Sequence, residues 1–236
     1  MVKEELVQRS PVRAFMNSIQ GGLEPGELGL IASPSGIGKT SMLVQIALDK
    51  LLQGKKVIHV SFTRHNDYVL AWYRDIFDEF TKRKNLENEQ DVKNDIVKNR
   101  VLMRFTQEGV SVEQILKSLK VMIGEGAFKA EDIIVDGLNF SAMDRELVSK
   151  VKSFAEEMGA SLWYSCNVQG EKPHYDKRNI PFIIKDYEDL FAVIVLMEPK
   201  QKQAHIALSI SKNRETYNPE HTPLKLDPRT LLIMEN

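Results

Sequence analysis

The residues best suited to chemistry form one short run. Residues 33–40 read Ser-Pro-Ser-Gly-Ile-Gly-Lys-Thr, which matches the pattern G-x-x-x-x-G-K-[ST] except that Ser33 replaces the first glycine. In this pattern backbone N–H groups surround a phosphate, the lysine reaches the β- and γ-phosphates, and the last hydroxyl binds Mg²⁺. We therefore predict that this phosphate loop and the residue after it bind ATP with Mg²⁺, through Ser33, Pro34, Ser35, Gly36, Ile37, Gly38, Lys39, Thr40 and Ser41.

The segments on either side of the loop are those that a phosphate site needs. Residues 28–32 are a short apolar run suited to a buried strand, and residues 41–48 place apolar side chains at helical spacing. A strand that leads through a glycine-bearing loop into a helix points N–H groups and the helix dipole at one spot, which favours an anion. The alternative is an ordinary turn before a helix. The agreement of glycine spacing, Lys-Thr pair, strand and helix disfavours it.

An aspartate farther along the chain supplies the second expected part of the site. Residues 133–135 are Ile-Ile-Val, and Asp136 follows them. Such a run predicts a buried strand with a carboxylate at its C-terminal end, where ligands bind in open α/β sheets. In phosphate-loop enzymes an aspartate there helps to hold Mg²⁺. We predict a metal site of Thr40 and Asp136; the alternative is that Asp136 caps the turn before Gly137.

The composition limits the classes of protein to be considered. The formal net charge is −1, so overall charge gives no reason to expect a nucleic acid or an anionic membrane as partner. Cys166 is the one cysteine, so no disulfide can form within the chain, and a reducing compartment is expected. No apolar run approaches the roughly 20 residues of a membrane span, and the charged start does not resemble a signal peptide. We expect a cytoplasmic protein without membrane contact.

Helical and strand patterns alternate along most of the chain, which predicts an α/β fold with a sheet covered by helices. From about residue 188 the pattern changes to strands joined by polar turns. We expect one domain over residues 1–236, with an N-terminal lead at 1–20, a charged surface insertion at 85–100 and a mobile loop at 169–187. The predicted helix at 67–84 carries apolar side chains on one face, which we assign to the core: Val69, Trp72, Ile76 and Phe80.

The residues ahead of the phosphate loop carry a family resemblance. Residues 21–28 read Gly-Gly-Leu-Glu-Pro-Gly-Glu-Leu, and this lead together with the loop resembles the start of the RecA-type ATPase core, above all its KaiC-like and DnaB-like (replicative helicase) branches. The resemblance extends from about Gly21 to Met234. It implies a RecA-like fold whose mostly parallel sheet ends in antiparallel C-terminal strands. It also implies a homo-oligomer, a ring or a filament, with ATP at the subunit interfaces.

The same resemblance implies three catalytic residues. Residues 210–214 read Ile-Ser-Lys-Asn-Arg, and in KaiC-like and DnaB-like proteins the lysine and arginine of such a K-x-R reach the γ-phosphate of the neighbouring subunit. Lys212 and Arg214 would then offset charge on the transferred phosphoryl group; the alternative is a solvated strand end. RecA-type proteins also place a γ-phosphate sensor at the end of a later strand. This implies Asn167, with Ser165 as second choice and strand-end capping as the alternative.

One position departs from the family pattern. KaiC-like proteins carry an acidic residue at the end of the second strand, where it polarises the attacking water, and the matching position here is Thr63. A threonine hydroxyl is too weak a base near neutral pH, and the neighbouring Arg64 is permanently cationic. We therefore expect slow or absent hydrolysis with nucleotide binding retained. Either another group positions the water and hydrolysis is slow, or the protein binds ATP and has lost turnover.

Two functions remain after these observations, because the intact Lys39-Thr40 pair disfavours a third, a structural subunit that binds no nucleotide. The first is a KaiC-like regulatory or assembly protein whose bound ATP stabilises an oligomer or a complex with another protein. The second is a DNA-dependent recombination or helicase-type ATPase. Residues 169–185 include cations and aromatics that could contact single strands, namely His174, Tyr175, Lys177 and Arg178, but a polar lid over the site would have the same composition. We favour the first function and do not favour nucleic acid as a partner.

Overall fold

The computed structural model describes residues 10, 12–62, 66–84, 89–125, 128–168, 175–200, 205–219 and 224–234. Within these ranges the chain forms a sheet of nine strands in the order β3-β2-β4-β5-β1-β6-β7-β8, with β9 paired to β7. The strands are β1 Leu28–Ser33, β2 Val57–Ser61, β3 Arg100–Arg104, β4 Asp132–Asp136, β5 Ser161–Asn167, β6 Val193–Lys200, β7 His205–Asn213, β8 Thr216–Tyr217 and β9 Leu224–Leu226.

The direction of the strands confirms the predicted fold class. The first six strands pair in parallel, whereas β7 runs antiparallel to β6, β8 and β9. The sheet is thus mostly parallel and ends in antiparallel C-terminal strands. The register also brings strand ends together, because Ser33 lies opposite Asn167 and Ser61 lies opposite Asp136. Since parallel strands end at the same edge of a sheet, the predicted site residues of β1, β4 and β5 share one edge.

Helices cover both faces of the sheet. They are α1 Arg13–Ser18, α2 Lys39–Leu52, α3 Asn66–Lys84, α4 Glu89–Lys98, α5 Val112–Lys120 and α6 Arg145–Met158, and α5 continues into a π-helical turn at Val121–Glu125. Short 3₁₀ segments lie at Phe140–Ala142 and Phe182–Leu190. Helices α1 to α4 pack on one face and α5 and α6 on the other. No helix in the described part of the chain is both long enough and apolar enough to span a membrane.

Helix α2, which follows the phosphate loop, is fixed to the sheet by charge as well as by apolar packing. Lys50 in its last turn lies 3.3 Å from Asp132 Oδ1 at the start of β4, and both side chains are buried. Asp132 Oδ1 also accepts a hydrogen bond from Ser161 Oγ at 2.7 Å. Both contacts are made by Oδ1, and they compensate in part for the burial of the carboxylate charge. The contact attaches the C-terminal end of α2 to the start of β4.

The structure differs from the sequence prediction at residues 85–100. That segment was expected to be a charged surface insertion, yet residues 89–98 form α4, and Arg100 begins β3. Val92 and Ile96, four positions apart on one face of α4, are each 5% exposed and belong to the core. Two apolar side chains one helical turn apart are enough to bury one side of a short helix, but they are a weak signal among many charges. Residues 85–88 lie outside the described part of the chain.

Candidate functional site

The phosphate loop joins the end of β1 to the start of α2. Gly36 and Gly38 have φ angles of 79° and 104°, in the left-handed region that favours glycine. Gly38 is the N-cap of α2, and no side chain caps the helix there. The first N–H groups of a 14-residue helix therefore face the loop without a capping side chain. This arrangement suits an anion.

The Lys39 ammonium lies over the same loop. Its Nζ donates to the carbonyl oxygens of Ser33 and Pro34 at 2.9 and 2.8 Å and to Ser33 Oγ at 3.2 Å. Burial lowers the pKa of Lys39, and Asp136 opposes that shift. A phosphate in the loop would offer this partly desolvated cation a charged partner in place of three neutral oxygens.

Thr40 and Asp136, the two residues of the predicted metal site, lie side by side at the edge of the sheet. Thr40 Oγ1 donates to Asp136 Oδ2 at 2.8 Å, and Ser165 Oγ donates to Asp136 Oδ1 at 2.7 Å. Ser165 Oγ also accepts the N–H of Gly137 at 2.8 Å. The Ser165 hydroxyl thus orients the carboxylate, and its one proton is already used, which argues against its second-choice role as a γ-phosphate sensor. A carboxylate and a hydroxyl side by side are oxygen ligands of the kind that Mg²⁺ prefers.

These groups line a cleft of about 640 Å³, a size typical of small-molecule sites. Its wall comprises Ser35, Gly36, Gly38, Lys39, Thr40, Tyr68, Trp72, Gln107, Asp136, Gly137, Leu138, Asn139, Phe140, Ser165, Asn167 and Leu231. The cleft thus joins the phosphate loop, the ends of β4 and β5, helix α3 and the C-terminal segment. Of the predicted loop residues, Ser33 is buried beneath Lys39, and the buried Ser41 hydroxyl donates to the carbonyl of Leu231.

Several wall residues were not predicted from the sequence. Tyr68 is 53% exposed, and its ring meets that of Trp72 edge to face with centroids 6.1 Å apart. Trp72 was assigned to the core, but it is only partly buried and lies in the cleft wall, because it sits at the border of the apolar face of α3. The Gln107 amide donates to the carbonyl of Gly137. A spacing of four residues, Tyr68 to Trp72, was the one available signal for an exposed aromatic pair.

Lys212 and Arg214 do not line this cleft in the described part of the chain. Arg214 Nε and Nη2 bind the two carboxylate oxygens of Glu27 at 3.0 Å each, just before β1 begins. Lys212 Nζ donates to the carbonyls of Glu188 and Asp189 at 3.0 and 3.3 Å, and burial lowers its pKa. The phosphate loop follows the other end of β1. Six residues of strand span roughly 20 Å, so within one chain Arg214 is remote from the loop. The Lys212 ammonium is bonded to carbonyls that precede β6 and does not reach the loop either.

Of the remaining predicted residues, Asn167 lies in the cleft wall and Arg178 lies in an ion-pair cluster. Asn167 ends β5 and lines the cleft, where a γ-phosphate sensor would have to lie. Arg178 contacts Asp176 and Glu188, at 3.0 and 2.8 Å, so its charge is matched within the chain. Thr63, Arg64 and His174 lie outside the described residues.

The chain is similar to a known protein over a short stretch of its sequence. No family model matches the chain. The DNA repair protein RadA of Aquifex aeolicus (strain VF5) is 49% identical to it over 45 residues. These residues are 19% of this chain and 10% of RadA, so only about a tenth of that relative is matched. The match and the sheet, mostly parallel with antiparallel C-terminal strands, together fit a RecA-like nucleotide-binding ATPase.

Proposed function

We propose that this protein binds Mg²⁺-ATP in the cleft and that the bound nucleotide controls its assembly, as in KaiC-like proteins. The observation that carries the proposal is the meeting of three features at one edge of the sheet. These are the uncapped N-terminus of α2, the Lys39 ammonium above the loop, and the Thr40–Asp136 pair. Each suits one part of a metal-bound triphosphate.

Each group in the loop has a separate task. The N–H groups after Gly36 and Gly38 would hold phosphate oxygens, and Lys39 would turn from Ser33 and Pro34 to the β- and γ-phosphates. Thr40 and Asp136 would hold the metal, with Ser165 fixing the carboxylate. When bound, Mg²⁺ neutralises charge on the phosphates. Asn167 at the cleft wall would contact the γ-phosphate.

The aromatic pair on α3 supports a nucleotide rather than inorganic phosphate as the ligand. Tyr68 and Trp72 present ring surface to the same cleft as the phosphate loop. Aromatic faces stack on purine and pyrimidine rings with little preference for the identity of the base. The base would therefore lie toward α3 while the phosphates occupy the loop.

Slow hydrolysis is part of the proposal. Among the described residues that line the cleft, Asp136 is the one carboxylate, and it already faces Thr40 and Ser165. Gln107 and Asn139 can orient a water molecule but cannot take its proton. With Thr63 at the position of the usual acidic residue, the protein would still bind ATP but would hydrolyse it slowly or not at all.

The positions of Lys212 and Arg214 support the assembly part of the proposal. Neither reaches the loop of its own chain, so a phosphate that they reach would belong to a neighbouring subunit. Arg214 would first have to leave Glu27. A ligand that prefers the assembled state shifts the equilibrium by its difference in affinity for the two states. ATP bound at such an interface would therefore promote the oligomer without being hydrolysed.

Calorimetric titration with Mg²⁺-ATP tests the proposal. We expect the wild-type protein to bind and the Lys39→Ala variant to lose about 100-fold in affinity, since a charged partner is removed. Lys120→Ala, an exposed lysine on α5, is the matched control and should bind as the wild type does. Equal affinity of the wild type and Lys39→Ala would overturn the proposal. Light scattering of the same samples should give a larger mass with nucleotide than without.

The match to a DNA repair protein favours one alternative, a DNA-dependent ATPase. Its test is anisotropy of a labelled oligothymidine at two salt concentrations, with and without ATP. DNA binding by phosphate contacts weakens steeply as salt rises. The regulatory function predicts no ATP-dependent binding at either concentration, and salt-sensitive binding together with DNA-stimulated phosphate release would establish the alternative.

A further inference from the structure

The C-terminal segment, residues 224–234, is hydrogen-bonded to the helix that follows the phosphate loop. The carbonyl of Leu231 accepts from Ser41 Oγ at 2.9 Å and from Gln45 Nε2 at 2.7 Å. Gln45 Oε1 in turn accepts the N–H of Ile233 at 3.2 Å. Gln45 therefore uses both ends of its amide on a segment 186 to 188 positions away.

These polar groups lie inside an apolar layer. Ser41 and Gln45 are 0% and 3% exposed, and Leu232 and Ile233 beside them are each 1% exposed. A buried amide that lost its partners would be strongly unfavourable, so the pairing specifies one position of the segment relative to α2. Since Ser41 and Gln45 are four residues apart, both face the same side of the helix.

Leu231 itself is held in an unusual backbone conformation. Its φ is +55°, in the left-handed region that a leucine rarely adopts. The N–H of Leu231 donates to the carbonyl of Asp227 at 2.7 Å. The N–H of Asp227 donates to the carbonyl of Leu232 at 2.9 Å. Strained backbone of this kind persists only where surrounding contacts impose it, and it is concentrated at functional sites.

The result is an apolar side chain at the edge of the nucleotide cleft. Leu231 lines the cleft, and its Cδ2 lies 3.4 Å from the place that a Cβ on Gly38 would occupy. Charged and polar groups (Lys39, Thr40, Asp136) line the part of the cleft suited to phosphates and metal. An aliphatic side chain offers nothing to a phosphate but can pack against a sugar or a base.

We propose that Gln45 is a positioning residue, which holds Leu231 as an apolar wall against the nucleoside end of the bound nucleotide. The inference rests on the proposed function and adds a determinant of affinity that acts on the nucleoside and not on the phosphates. Removing Gln45 leaves the loop amides and Lys39 in place but takes away one of the two side-chain hydrogen bonds to the Leu231 carbonyl, together with the bond to Ile233. Leu231 is then held less firmly in its strained position.

The test compares two ligands, Mg²⁺-ATP and inorganic tripolyphosphate, by calorimetry. Gln45→Met keeps the length of the side chain and removes the amide. We expect it to raise the Kd for ATP about tenfold, a change of 1.4 kcal/mol, and to leave the Kd for tripolyphosphate within about twofold of that of the wild type. Gln53→Met, at the exposed far end of α2, is the matched control and should change neither value.

A second variant keeps the inference testable if Gln45→Met fails to fold. Leu231→Gly removes the apolar wall, and glycine accepts the left-handed φ without strain, so folding is retained. This variant should also bind Mg²⁺-ATP about tenfold more weakly than the wild type and bind tripolyphosphate as the wild type does. The inference is overturned if either folded variant binds both ligands as the wild type does, or weakens both equally. Failure of the proposed function is a separate result, in which the wild type binds neither ligand.

Discussion

The hydroxyl of Thr40 donates a hydrogen bond to Oδ2 of Asp136 at 2.8 Å, although the two residues are 96 positions apart in the sequence. The contact is possible because only β5 separates β4 from β1 in the sheet. The start of α2 therefore lies above the end of β4. Two oxygens of different chemistry, a hydroxyl and a carboxylate, are thus paired beside the phosphate loop.

The first prediction concerns Asp136. Asp136→Asn keeps the shape of the side chain and removes its charge, so Mg²⁺ should no longer strengthen ATP binding, whereas ATP binding in EDTA should be retained. In the wild type we expect Mg²⁺ to tighten binding about tenfold, and in the variant less than about twofold. Calorimetry with and without Mg²⁺ measures both. A variant that responds to Mg²⁺ as the wild type does would show that the metal is held elsewhere.

The second prediction concerns Trp72. If the base stacks on α3, Trp72→Leu should weaken ATP about tenfold, within the range of stacking energies measured per base, and should leave tripolyphosphate unaffected. The chain has two tryptophans, Trp72 and the fully buried Trp163. The Trp163→Phe variant therefore has Trp72 as its single fluorescent indole. Its emission should change on addition of ATP and not of tripolyphosphate. An emission spectrum that is the same with saturating ATP would place the base on another wall of the cleft.

The fold class was predictable because it depends on periodic patterns, which the sequence shows directly. The phosphate loop and Asp136 were predictable as candidates because residue type and spacing carry their chemistry. Tyr68, Gln107 and Leu231 were not, since each reaches the cleft through the long-range arrangement of a helix, a loop and the C-terminal segment. Helix α4 was missed because Val92 and Ile96 are two apolar residues in a charged stretch.

The third prediction concerns pH. His59 on β2 is fully buried, and its Nδ1 lies 3.1 Å from the hydroxyl of Tyr73. Burial lowers the pKa of His59 to about 4, with Asp136 opposing and Arg100 adding to the shift. Because the folded state resists protonation of His59, the contribution of this histidine to stability is constant above about pH 6.5 and falls as the pH drops toward 4.

Urea unfolding at pH 7.5 and pH 5 measures this effect. Between these values the histidine should remove about 2 kcal/mol from the free energy of unfolding of the wild type. Between pH 7.5 and pH 5, the free energy of unfolding of His59→Leu should therefore fall by about 2 kcal/mol less than that of the wild type. Identical pH dependence of the two proteins would mean that His59 is not the group responsible.

The fourth prediction concerns the ion pair of Glu27 and Arg214. The two side chains are 18% and 23% exposed and meet through two hydrogen bonds of 3.0 Å. In a double-mutant cycle of Glu27→Ala and Arg214→Ala, we expect a coupling energy of about 1 kcal/mol in the free energy of unfolding. Additive effects would show that the pair does not stabilise the folded monomer.

The same pair allows a test of the cross-subunit role of Arg214. Glu27→Gln weakens the hold on the guanidinium without removing it. If Arg214 reaches a neighbouring nucleotide, the variant should assemble at a lower ATP concentration than the wild type, by light scattering. Assembly at an unchanged or higher ATP concentration would contradict that role.

The most direct test of the account is a two-dimensional amide NMR titration of the ¹⁵N-labelled protein with ATP and with adenosine. If a triphosphate rests on the loop amides, the signals of Gly36, Gly38, Lys39 and Thr40 will move on addition of ATP and stay in place with adenosine. ATP binding that leaves these four signals unmoved would contradict the central claim.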